Sequence, residues 1–98
     1  MAGLENYDFQ NLSNAAEKIV LGELARQLDQ CKQDVCRCND CVVDMAAMAL
    51  NMVKPLYRCS LLGELYTAEA KNDTAYLKSI EEAVGLAIDR VCSNPGHA

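Results

Sequence analysis

At 98 residues, 51% of them hydrophobic, the chain is long enough for one domain with a modest core, which a metal ion or a partner chain would supplement. Five residues are aromatic and none is Trp, so the interior is built from Leu, Ile, Val, Ala and Met, a composition that favours packed helices. A net charge of −5 excludes non-specific binding to DNA or RNA, whose phosphates the mean field would repel.

Residues 1–13 are polar apart from Leu4, Tyr7, Phe9 and Leu12, and we expect a loosely ordered arm that docks those side chains. The opening Met1-Ala2-Gly3-Leu4-Glu5-Asn6-Tyr7-Asp8 has neither a basic n-region nor an apolar h-region. The longest apolar run is too short and too interrupted to span a bilayer. We therefore expect a cytoplasmic protein with no membrane association, whose six cysteines are reduced thiols and not a disulfide framework.

Asn14 followed by Glu17 resembles a capping box, and Ala16, Ile19 or Val20, Leu24, Leu28 and Cys31 recur at helical spacing. This predicts a first helix over 14–31 with Glu17, Lys18, Glu23, Arg26, Gln27 and Gln30 on a solvated face. Gly22 costs about 1 kcal/mol relative to Ala inside a helix, and we expect it to mark close approach of another backbone.

Lys32 to Asp40 is a cysteine-rich turn leading into a second helix over 40–53, capped by Asn39 or Asp40 and favoured by Asp44 near its positive end. Its apolar positions wrap round the axis, more than so short a chain can cover, which predicts a second subunit. Ala46, Ala47 and Ala49 leave room for close helix contact, and Met45, Met48 and Met52 are read as core. Pro55 stops the helix. Residues 56–67 are β-prone on both sides of Gly63, with Tyr57, Cys59 and Leu61 before it and Leu65, Tyr66 and Thr67 after it, and predict a short hairpin or extended loop.

Asp73 is expected to cap a last helix along the stripe Tyr76 or Leu77, Ile80, Ala83 or Val84, Ala87 or Ile88, and Val91. It ends near Cys92, before the stop signal Ser93-Asn94-Pro95-Gly96. The expected architecture is a single domain over 1–98, mainly α, with three main helices and one short β-prone hairpin or loop.

The chemistry concentrates at Cys36-Arg37-Cys38-Asn39-Asp40-Cys41. This C-x-C-x-x-C run offers three thiolates within one turn of chain, which suits a structural, tetrahedral zinc ion needing four ligands. A thiolate at Cys41, in the first helical turn, faces exposed amides that stabilise it. The fourth ligand is open between Cys92, Cys31, Cys59 and His97, the last sitting in the tail. Without metal, the same residues read as free structural thiols, or as a redox pair within the 36–41 loop.

Arg37 serves either to compensate the charge of a thiolate cluster or to contact a phosphate or guanine. Lys54, Tyr57 and Arg58 flank Pro55 and form a candidate anion-binding rim with one ring for stacking. Residues 32–58 carry Lys32, Arg37, Lys54 and Arg58 against Asp34, Asp40 and Asp44, a balance of +1; the other five bases and eleven acids give −6. An anionic ligand is therefore expected at the middle of the chain. No hydrolase elbow or phosphate loop occurs and the lone His lies in the tail, so no enzyme is expected.

The run from Cys36 to Tyr57 closely resembles the late competence development family (ComFB), whose pattern is C-x-C-x-x-C, an Asp, A-L-A-L-N, and a Pro two residues before Tyr; here these are Asp44, Ala47-Met48-Ala49-Leu50-Asn51, Pro55 and Tyr57. Ala16-Glu17-Lys18-Ile19-Val20 and Asn94-Pro95-Gly96-His97 extend the likeness, with Gly96 where the family frequently has Arg. The resemblance implies a small, α-rich, intertwined homodimer that binds zinc through Cys36, Cys38 and Cys41. It also implies a regulatory role, since cyanobacterial members are receptors for cyclic di-GMP linked to competence, motility and cell size. The alternative is a zinc-stabilised adaptor whose acidic surface binds a regulatory protein partner and no nucleotide.

Overall fold

A computed structural model of the chain describes residues 3–59, 65 and 68–94. The helical stripes become α1 (Ala16–Gln30), α2 (Asn39–Leu50) and α3 (Thr74–Ser93), and two short strands, β1 (Ser13–Asn14) and β2 (Tyr57–Arg58), pair antiparallel. Each helix packs on the other two, α2 most extensively on α3. Among the described residues no helix is long and apolar enough to cross a membrane.

The core lies between the three helices. α1 contributes Ala16, Val20, Leu24 and Leu28; α2 contributes Cys41, Met45, Ala46 and Ala49; α3 contributes Tyr76, Ile80, Ala83, Val84, Ala87, Ile88 and Val91. The last set is the stripe expected from the sequence, and Asp73 caps α3 as expected, its Oδ1 accepting the Ala75 and Tyr76 amides at 3.0 and 3.3 Å. Tyr76 anchors the chain beyond α2, its hydroxyl donating to the Lys54 carbonyl at 2.8 Å. α1 and α3 run parallel: residues 19–23 share a cleft with Leu77, Ile80 and Glu81, and Gln27 Nε2 donates to the Glu81 carbonyl.

The structure departs from the sequence reading in several respects. Asn14 does not cap α1 through a capping box; it lies in β1, and the cap position falls to Ala15, which makes no side-chain cap. Asn14 Oδ1 instead accepts from both the Ala16 amide at 3.1 Å and the Leu56 amide at 2.7 Å, and the Ala15 amide donates to the Leu56 carbonyl. One side chain thereby ties the start of α1 to the segment after α2. Tyr57 and Arg58 of the β-prone segment pair with β1, and Leu65 is helical; Leu61, Gly63, Tyr66 and Thr67 lie outside the described residues.

The expected solvated face of α1 is partly engaged. Glu23 receives Arg26 at 2.8 and 2.6 Å and Gln27 at 2.6 Å, and the Arg26 hydrogen bond is the main reason its carboxyl is held below the usual range. Gly22 meets no close backbone within the chain, since a Cβ built there has nothing within 4 Å among the described residues. α2 is shorter than expected and buries one face. Met45 is fully buried, but Met48 is half-buried and Met52, past the last helical residue, is 40% exposed.

Two stability outcomes follow from these positions. Asn14→Ala strands two partly buried amides and should cost about 1–2 kcal/mol in urea unfolding, whereas Asn14→Asp keeps the acceptor and should stay near wild type. Gly22→Ala should raise stability by about 0.5–1 kcal/mol by the same measurement, because open space receives the methyl and the unfolded chain loses entropy.

Candidate metal centre

α2 begins at a helix cap made of sulfur. Cys38 occupies the cap position with extended backbone, and its Sγ accepts the Cys41 amide at 3.4 Å. This replaces the Asn39 or Asp40 cap expected from the sequence, since both residues already belong to the helix. An Asp or Ser side chain would satisfy that amide as well. A Cys there also turns its sulfur toward the sulfur three residues on.

The sulfurs of Cys36, Cys38 and Cys41 consequently lie within 4.8 Å of one another, on half-buried, exposed and fully buried residues respectively. A tetrahedral ion with bonds of about 2.3 Å places its sulfur ligands about 3.8 Å apart, so the trio needs a contraction of only about 1 Å to grip one metal ion. The set is closed on the core side by Cys41 and open on the Cys38 side. An all-sulfur donor set of this spacing suits zinc.

The three thiols differ electrostatically. The Cys38 backbone amide, with the Cys38 and Cys41 thiols, holds Cys36 below the ordinary thiol range. Burial, reinforced by the neighbouring Cys36 and Cys38 sulfurs, pushes Cys41 up to about 12. Cys36 therefore becomes a thiolate before Cys41, where burial outweighs the helix-start amides expected to favour the charged form.

No fourth Cys, Asp, Glu or His joins the trio within that radius among the described residues. Of the four candidates, Cys59 is exposed and lines a pocket with Leu4, Tyr7, Phe9 and Leu12 of the N-terminal arm. Cys31 caps the end of α1, half-buried. Cys92, in the last turn of α3, is half-buried against the same core, and its thiol is pushed up chiefly by burial and then by the charges of Cys31, Asp89 and Cys36. His97 lies outside the described residues.

The candidate anion contacts divide into two groups. Arg37 Nη2 donates to the Leu28 carbonyl at 2.6 Å, satisfying the C-terminal end of α1. Lys54, Tyr57 and Arg58 follow the other end of α2, a helix of 12 residues and so about 18 Å long. Tyr57 is 65% exposed, while Arg58 is half-buried in β2. The cap formed by Cys38 and the Arg37 tether were not foreseen. The first has a signal in the sequence, a Cys three residues ahead of a first-turn residue; the second joins positions nine apart across a bend and has none.

Comparison with known proteins adds two findings. The family model described as late competence development protein ComFB matches residues 13–95. The solved structure of the late competence protein ComFB from Bacillus subtilis is similar with a TM-score of 0.71 and 26% identity, over 87% of this chain and 92% of that one. No curated protein sequence gives a significant match.

The thiol order is measurable. A Cys whose folded pKa lies above its unfolded value stabilises the fold fully below the unfolded pKa, about 8.5, and loses that contribution as pH rises through the folded value. In metal-free, reduced protein the thiolate ultraviolet absorbance should keep one step unfinished until about pH 12, with stability falling over the same interval. Cys41→Ser should remove that step and flatten the decline.

Proposed function

This chain belongs to the late competence development protein ComFB family, and from that premise we propose that it is a non-enzymatic, cytoplasmic regulatory protein. It works as a zinc-stabilised homodimer that takes a cyclic dinucleotide, cyclic di-GMP, as its ligand. The observation that carries the proposal is the thiol trio at the head of α2, three sulfurs within 4.8 Å at the start of a helix that packs on both of the others.

Cys36, Cys38 and Cys41 are the metal ligands in this account, and Cys92, half-buried in the last turn of α3 and packed against the same core as Cys36, is the fourth. Cys36, Cys38, Cys41 and Cys92 would give up their thiol protons to hold zinc, buried Cys41 included, and the bend without regular structure would become a fixed joint between α1 and α2. A fully thiolate site carries excess negative charge, and Arg37 beside it offsets part of that charge while it holds the end of α1.

Homodimer formation is supported by what the monomer leaves uncovered. The radius of gyration is 15.7 Å, against about 13 Å for a compact domain of this length. The outer side of α2 presents Val43 at 55% exposure, and Ala47, Met48 and Met52 border an open groove of about 840 Å³ with Arg90 and Val91 of α3. A second copy over this face supplies the cover the apolar residues lack. The ligand's phosphates and flat bases call for cations beside an aromatic ring, which Lys54, Tyr57 and Arg58 provide at one end of α2.

A specific observation favours a second reading, a zinc-stabilised adaptor without a nucleotide ligand. Arg37 already serves the α1 carboxyl end, and it stands a helix length from the other three candidate contacts. In that case the acidic surface recruits a regulatory protein partner. Calorimetric titration of the zinc-loaded protein with cyclic di-GMP separates the two. The proposal predicts saturable heat that Lys54→Ala together with Arg58→Ala weakens by at least about tenfold, a loss of about 1.4 kcal/mol or more. No heat at high micromolar nucleotide would leave the adaptor.

A further inference from the structure

Cys36, Cys38 and Cys41 cluster at the head of α2, and Cys31 and Cys92, at the ends of α1 and α3, pack against the same core, which makes one thiol more than a tetrahedral ion can use. The surplus is Cys31 if Cys92 is a ligand. Because α1 and α3 run parallel, the Gln27 amide side chain sits against Gly85, and Cys31, one turn further along, opens into a cleft with Gly85, Ile88 and Asp89. Cys92 follows Ile88 by four residues, on the same face of α3. Both thiols pack against the edge of the same core, half-buried, and the cleft on the Cys31 side is about 500 Å³ and open to solvent.

We propose that Cys31 and Cys92 form a redox modification site, in which a peroxide converts the pair to a disulfide and withdraws Cys92 from the metal. The proposal rests on the assignment of Cys92 as fourth ligand made above. In the first step the Cys31 sulfur attacks a peroxide oxygen, breaking the O–O bond; Cys31 becomes a sulfenic acid and one water leaves. In the second, the Cys92 sulfur attacks the sulfenic sulfur, the S–O bond breaks, and the departing hydroxide takes a proton to leave as a second water. Two electrons pass from the two sulfurs to one peroxide. Cys92 has then exchanged its metal bond for a sulfur bond, and three thiolates remain to hold the ion.

Three features of the chain favour this pair over a disulfide inside the 36–41 loop. Cys31 is reached through an open cleft, whereas Cys41 is fully buried. Cys31 sits at the helix end, where extended backbone with φ −72° and ψ 123° lets it move without unwinding α1. Lastly, a Cys31–Cys92 bond would join α1 to α3 along a contact that the Gln27 hydrogen bond to Glu81 already makes.

The test uses zinc-loaded, reduced full-length protein exposed to hydrogen peroxide, with released zinc read by a chromogenic chelator and disulfides mapped by peptide mass spectrometry. Wild type should release its zinc as a Cys31–Cys92 cross-link accumulates, and a thiol reductant should restore binding. Cys31→Ser should load zinc normally when reduced yet release it about tenfold more slowly under peroxide. Release from Cys31→Ser at the wild-type rate, or a map dominated by Cys36–Cys41, Cys36–Cys38 or Cys31–Cys36 bonds, would overturn the proposal. The supporting assignment fails separately: a reduced Cys92→Ser protein that binds zinc as tightly as wild type removes Cys92 from the metal without touching the cross-link map.

Discussion

The structure depends on how α2 begins. A helix start leaves amides without partners, and a polar side chain must satisfy them or the end must face water. Here the acceptor is the Cys38 sulfur, reaching the amide of Cys41, whose own side chain is fully buried. One residue choice therefore sets the helix start, seats a sulfur in the core and brings three thiols together. The bend from residue 31 to 38 has no regular structure to hold it, so the contacts of Arg37 with the end of α1 and of the thiols with one another define how α1 meets α2.

Behind that joint, α2 is held by α3 more than by α1. Met45, Ile80 and Val84 are among the largest fully buried side chains, each contributing about 1.5–3 kcal/mol by leaving water. Small residues alternate with them, Ala46 and Ala49 on α2 and Ala83 and Ala87 on α3, which lets the helices approach closely. The opposite end is fastened by polar contacts: Asn14 to the Leu56 amide, and Tyr76 to the Lys54 carbonyl. The chain beyond α2 thus returns to the start of α1, and the segment bearing Lys54, Tyr57 and Arg58 is positioned by the same bonds.

Long-period features were legible in the sequence and pairwise ones were not. The α3 stripe from Tyr76 to Val91 and its Asp73 cap matched the structure because a 20-residue helix repeats its signal over several turns. The β1–β2 ladder was missed: two residues on each side carry no periodicity, and their partners are more than forty positions apart. Asn14 misled because the same side chain that caps helices also closes short turns, and here it serves the Ala16 and Leu56 amides together. At the site, spacing alone located Cys36, Cys38 and Cys41, since three thiols within six residues stay close in almost any bend. The division of Arg37 from Lys54, Tyr57 and Arg58 appeared only once α2 was laid between them.

A sulfur-capped joint, an uncovered outer face on α2 and an extended shape fit together if metal fixes the joint and a twin chain covers the face. Each demand could fail alone, so the direct check observes both at once. Native mass spectrometry of the reduced protein, with elemental analysis of the same sample, should find a pair of chains carrying one zinc ion each. A folded single chain without metal would contradict the account.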